Sequence, residues 1–365
     1  MSTEAAARTS DGRRNAKDGL LSKLLGDVRN TRILRFAVGV TLASAIAYSF
    51  AWTLSFLMPV LLAVILAMPL PAPSLRAGLT NMINTLKAFA IGVVFTFFLL
   101  GYPQLYIPML GLLLFYIYYL MNRGGSFWYV LMLILAVLIL PLLANSSGGL
   151  ALGFASGFVV TGWLTVLMVF LSYGLVPDPA TDSANKIPAS PGLLPGYSAP
   201  AAQSALKSTV VVLPLVTAFI IFEWGGQLMV LILAAIFSLS PTVTKSKEAS
   251  LDMLKSTAIG GLAATVIYWM LVAVPEFYFF VVLMFLTSLL FAQVIFSAKP
   301  MAKYFGSAFV AMFILVNSSL GDEADFSSAF IFRLFYIASA MFYMFAALKV
   351  IEHYWPSPVI EPGSQ

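Results

Sequence analysis

The chain has 365 residues, 61% of them hydrophobic and 10% charged, with a formal net charge of +5 and no cysteine. A soluble domain of this length carries roughly 25% charged residues, so the composition excludes an ordinary soluble fold. The lack of thiols excludes disulfides and thiolate metal sites. The basic balance is not read as nucleic-acid binding, because in a membrane chain the placement of Lys and Arg matters more than their sum.

Residues 1–32 form a basic N-terminal segment. Within it Leu20, Leu21, Leu24, Leu25 and Val28 fall on one helical face, with Lys17, Lys23 and Arg29 among the intervening residues. The pattern fits a helix lying on the cytoplasmic membrane surface, or else a flexible basic tail. The first apolar run follows this long segment and is succeeded at once by another, so it reads as a span rather than a cleavable signal.

The apolar runs that follow have the length of about 17–25 residues needed to cross ~30 Å of hydrocarbon. They predict an all-α polytopic membrane protein with about twelve transmembrane helices, arranged as two parallel six-helix repeats. The first repeat, 33–174, has spans near 33–51, 54–71, 84–101, 105–121, 127–144 and 150–173. The second, 206–352, has spans near 206–222, 227–240, 256–274, 278–297, 304–320 and 327–350. The eighth is short and reads as a half-helix or a tilted, buried segment. Pro108, Pro141 and Pro214 fall inside the fourth, fifth and seventh spans, where each frees a carbonyl and permits a kink. Residues 175–205 carry Pro177, Pro179, Pro188, Pro191, Pro195 and Pro200 and read as a semi-extended cytoplasmic strap. Residues 353–365 form a cytoplasmic tail.

With the N-terminus inside, the basic residues sort by side. Arg76, Lys87, Arg123, Lys186, Lys207, Lys245, Lys247, Lys255, Lys299, Lys303 and Lys349 all fall on inner loops or inner span ends. The outer loops hold Glu223, Glu276, Asp322, Glu323 and Asp325 and no Lys or Arg. Both termini are then cytoplasmic and, since six is even, both halves point the same way.

The duplication is written in the residues. Arg35, Trp52, Asn145-Ser146-Ser147, Phe154, Ser156 and Phe158 are answered 172 positions later by Lys207, Trp224, Asn317-Ser318-Ser319, Phe326, Ser328 and Phe330. Between them Pro73, Leu86, Lys87, Ala90, Ile91 and Gly92 are answered at an offset of 168 by Pro241, Leu254, Lys255, Ala258, Ile259 and Gly260. A fixed internal period marks duplicated architecture, and repeated halves in a membrane chain point to a transporter with its path where the halves meet.

The available chemistry is sparse. No phosphate-binding loop occurs, the single histidine, His353, sits at the end of the last span, and no carboxylate cluster lies within the bilayer, so neither an enzyme nor a cofactor is expected. Asp322-Glu323-Ala324-Asp325 reads as a solvated outer turn. Arg333 stands apart: it is about two turns inside the last span, where a cation is costly and usually faces a cavity or a partner. A guanidinium forks onto a carboxylate, so Arg333 is a candidate substrate contact, the alternative being a snorkelling or paired structural residue. Glu223 and Glu276, at outer span ends among apolar residues, are candidates for proton coupling, or simply hydrated acids. Asn145 and Asn317 can cap helices or bind a ligand's polar groups, and aromatics such as Trp224 can stack an aromatic substrate.

Six spans, a central break and six more spans resemble the aromatic acid exporter and fusaric acid resistance superfamily. The stretches that carry the likeness are Trp52 to Leu75, with Pro59, Pro69, Pro71 and Pro73, and Trp224 to Lys245 around Pro241. Many members carry a sizeable cytoplasmic domain between the halves; this chain has only the proline linker, which marks a compact subfamily. The resemblance implies export of aromatic or hydrophobic organic acids across a bacterial inner membrane, driven by the proton-motive force. It also implies a periplasmic adaptor of the membrane-fusion type as partner. The same six-span unit resembles plant aluminium-activated malate channels, which makes an anion channel the alternative reading, with a membrane assembly factor behind it. A homo-oligomer is compatible with either.

Overall fold

The structure, a computed structural model, describes residues 28–52, 54–68, 72–178, 196–222 and 243–321, with single positions between 331 and 353. Ten helices are described in full: α1 (Val28–Phe50), α2 (Leu57–Ala67), α3 (Leu75–Leu99), α4 (Pro103–Asn122), α5 (Phe127–Ser146), α6 (Gly148–Leu175), α7 (Ala199–Ile221), α8 (Val243–Ala273), α9 (Phe277–Ile295) and α10 (Ala302–Gly321). The described residues contain no strand. Eight of the ten, α1 and α3 to α9, are long and apolar enough to cross a membrane. Their outward faces are apolar as well: on α9, Val282, Phe285, Leu286 and Leu290 are exposed while Leu283, Met284 and Phe291 are buried. A helix apolar on all sides and exposed on one belongs in lipid. The chain is thus a multi-pass α-helical membrane protein.

Local chemistry sets the helix ends. Ser74, Ser126 and Ser198 cap α3, α5 and α7, each hydroxyl accepting from a first-turn backbone N–H. Pro103 and Pro200 open α4 and α7, where a missing N–H costs nothing. Helix α7 begins at Ala199, inside the tract read from sequence as linker. Pro108, Pro141 and Pro214 lie inside α4, α5 and α7, each of which runs on past its proline. The surface helix predicted over 20–28 lies outside the described residues except for Val28, and the eighth span lies outside them entirely.

Helix α5 is the most enclosed, with Val130, Leu133, Val137 and Leu140 all essentially inaccessible. Helix α3 packs against α5, and α8 packs against α10. Each crossing closes on a glycine. A Cβ on Gly92 would come within 2.8 Å of the Ala136 Cβ, and one on Gly260 within 2.3 Å of the Ala308 carbonyl oxygen. Two further pairs link early and late parts of the chain, α1 with α9 and α4 with α7.

The second predicted span, near 54–71, departs from expectation. Only Leu57–Ala67 is helical. Eleven residues rise roughly 16 Å, about half the hydrocarbon thickness. Pro59 is tolerated because it falls in the first turn. The helix stops where Met68 turns extended, at ψ 134°. That is the conformation a following proline imposes, and Pro69 follows.

Candidate functional site

The span that α2 leaves incomplete is completed by irregular backbone. Ala51 and Leu54 take left-handed conformations, φ 45° and 65°, without being glycine, at a cost of about 1–2 kcal/mol each. Such strain persists only where neighbours fix it. Here the Trp52 indole donates to the Thr161 hydroxyl at 3.0 Å, and that hydroxyl reaches the Leu54 carbonyl at 3.4 Å. Thr161 is fully buried at the midpoint of α6, roughly 20 Å along the axis from either end. Unwound backbone within a membrane is stable only where protein encloses it or where it lines a cavity.

A cavity of about 490 Å³ opens beside the other end of α2. Val64, Ala67 and Met68 of α2 form one wall, Thr257 of α8 another, and Lys303, Gly306 and Ser307 of α10 a third. Thr257 is fully buried, and its hydroxyl has no partner among the described residues. The Lys303 ammonium is paired with Asp252 at 3.0 Å and lies 4.8 Å from the Tyr304 ring centre. The Lys255 ammonium approaches the same ring at 5.6 Å. Two cations, Lys255 and Lys303, and one acid, Asp252, are thus described around Tyr304 at this mouth. Its volume is within the ~300–1,000 Å³ of small-molecule sites.

A buried cation sits elsewhere. Arg35 on α1, 3% exposed, donates from Nε to the Val176 carbonyl at 2.9 Å and forms an ion pair with Asp178. Its guanidinium lies 3.8 Å from the Tyr173 ring centre. Three kinds of partner satisfy one desolvated charge and tie α1 to the chain leaving α6.

The residues singled out from sequence are scattered. Asn317 on α10 accepts from the Tyr48 hydroxyl at 2.9 Å, and the Tyr48 ring is 4.7 Å from that of Phe280. Asn145 is exposed at the end of α5. Glu276 is exposed just before α9, its carboxylate capping nothing there. Arg333, Glu223 and Trp224 lie outside the described residues, as does the acidic turn Asp322–Asp325. Sequence reasoning missed Thr257, Gly306 and Ser307 and took Lys303 only as a marker of sidedness. The signal that finds them is the internal repeat itself, followed below.

The fold and the half-helix define a polytopic helical membrane protein with an interrupted span. A family model described as "Protein of unknown function (DUF2955)" matches residues 32–172, from α1 into the last turn of α6. No curated protein and no solved structure matches the chain.

Proposed function

We propose that the chain is an efflux transporter of the bacterial inner membrane for aromatic or other hydrophobic organic acids. It is built as two like-oriented six-helix repeats, is driven by the proton-motive force and works with a periplasmic adaptor of the membrane-fusion type. The observation that carries the reading is the interrupted second span: a half-length helix entered through strained, unwound backbone. Discontinuous helices of this kind are what transporters use to bind substrate near the bilayer centre.

Paired packing supports the repeat. Gly92 meets Ala136 and Leu140, while Gly260 meets Ala308 and Met312, the residues 172 positions after those two. The first helix of each half lies on the fourth of the other, α1 on α9 and α7 on α4. The family match, 32–172, also spans almost the same stretch as the first half read from sequence.

The repeat register also supports the candidate residues. Glu223, Trp224 and Arg333 correspond to Ala51, Trp52 and Thr161, the three residues at the unwound turn of the first half. At the corresponding sequence positions the second half has an acid, an indole and a guanidinium. Arg333 receives the substrate carboxylate through its fork, Trp224 offers a ring face, and Glu223 exchanges the coupling proton.

The test is flux into proteoliposomes under an imposed pH gradient, with benzoate as substrate. The wild type accumulates benzoate uphill. Arg333→Ala abolishes accumulation while inserting and purifying normally, and Arg333→Lys restores part of it. Strictly downhill flux makes the protein a channel, and unchanged accumulation in Arg333→Ala removes that residue from the path.

A further inference from the structure

The two halves differ most where the cavity lies. In the repeat register, Leu131, Ile134, Leu135 and Ile139 of α5 are answered on α10 by Lys303, Gly306, Ser307 and Ala311, and Phe89 of α3 by Thr257 of α8. In the first half this face is filled with apolar side chains: Ile134 and Ile139 are buried, Leu131 and Leu135 partly so, and the Phe89 ring, 1% exposed, stacks on Phe158 with centroids 4.8 Å apart. In the second half nearly every exchange removes volume or adds polarity, and the space released is the cavity. A chance loss of packing would leave an apolar void. This one keeps a buried hydroxyl without a partner among the described residues, an arrangement that costs stability unless something else supplies the hydrogen bond.

We infer that the cavity between α2, α8 and α10 is a binding site, at the cytoplasmic end of the second half, for a small monocarboxylate with a ring-sized apolar body. Its place in a transport cycle rests on the export reading; its existence does not. The carboxylate lies at Lys303 in the mouth, sharing that ammonium with Asp252, while Lys255 beside Tyr304 offsets the acid's charge. The apolar body fills the space beside Val64, Ala67 and Met68. Thr257 lines the inner end with its hydroxyl buried behind the wall, and a small shift of that side chain lets it hydrogen-bond a polar substituent. Gly306 sets the width, since a Cβ there would meet the Ala67 Cβ at an ordinary 3.6 Å while a longer side chain would enter the cavity.

The experiment is equilibrium dialysis of the purified full chain in detergent with radiolabelled benzoate, salicylate and benzamide, alongside the thermal midpoint of each variant. Benzoate binds saturably and benzamide about tenfold or more weakly. Lys303→Gln erases that preference. Gly306→Ile, which restores the first-half residue, abolishes binding; Ser307→Leu does the same where the first variant fails to fold. Thr257→Val weakens salicylate by about threefold to tenfold, the range expected of one hydrogen bond, while its thermal midpoint stays or rises. No saturable benzoate binding, or full binding in folded Gly306→Ile and Ser307→Leu proteins, overturns the site. Benzoate binding that these variants abolish, in a protein that shows no uphill flux, upholds the site and ends the export reading. Uphill flux that survives both variants does the reverse.

Discussion

Arg35 shows how a charge is kept inside an apolar bundle. Its guanidinium has a backbone carbonyl, a carboxylate and an aromatic face, from Val176, Asp178 and Tyr173. Removing the cation strands Asp178, itself 22% exposed and therefore partly relieved by water. Arg35→Met is expected to lower stability by about 2 kcal/mol, less than for a fully buried pair, and Asp178→Asn by less. Thermal unfolding in detergent checks both; equal midpoints for wild type and Arg35→Met would remove this tie from the account. The sequence marks Arg35 and its counterpart Lys207 as anchors of the repeat, and both are buried. It does not reveal the partner. Asp178 belongs to a proline-rich tract without periodicity, and only the exit path of α6 brings it to α1. Thr257 was hidden for a related reason: one hydroxyl among several on α8 looks ordinary until it is found buried without a partner among the described residues.

At the level of helices, the crossings of α3 with α5 and of α8 with α10 are tight enough that glycine is required for approach rather than flexibility. Gly260→Ala is expected to cost about 1–3 kcal/mol through overpacking against the α10 backbone, and Gly92→Ala to act in the same direction. Gly153→Ala is the control. A Cβ there meets nothing within 4 Å, and alanine's helix preference gives no loss or a gain of up to about 1 kcal/mol. Thermal midpoints decide, and similar values for Gly260→Ala and Gly153→Ala would contradict the close crossing. Most spans were legible because apolar length and the prolines at their ends act locally. The span near 54–71 was not, because hydropathy counts apolar residues whatever their backbone does. Its eighteen residues suffice for a crossing, yet among those described only Leu57–Ala67 is helical, preceded by left-handed turns and ending at an extended Met68. The sequence did flag the eighth span, its repeat partner, as short.

For the molecule as a whole, the packing of α1 on α9 and of α4 on α7 ties early and late parts of the chain together. In the proposed repeat each half's first helix also packs on the other half, and the cavity between α2, α8 and α10 lies where the two meet. No sequence pattern announces such an exchange, because the apolar faces that meet across the halves are chemically alike. In the proposed reading, like orientation of the halves turns their meeting surface into a route across the bilayer. Because the chain lacks cysteine, single introduced thiols report sidedness without background. The repeat pairs Tyr102 with Val274 and Phe127 with Lys299, and all four are exposed. Labelling intact cells with a membrane-impermeant maleimide should modify Tyr102→Cys and Val274→Cys, and should reach Phe127→Cys and Lys299→Cys only after permeabilisation. Members of either pair labelling from opposite faces would contradict the like-oriented halves and the path between them.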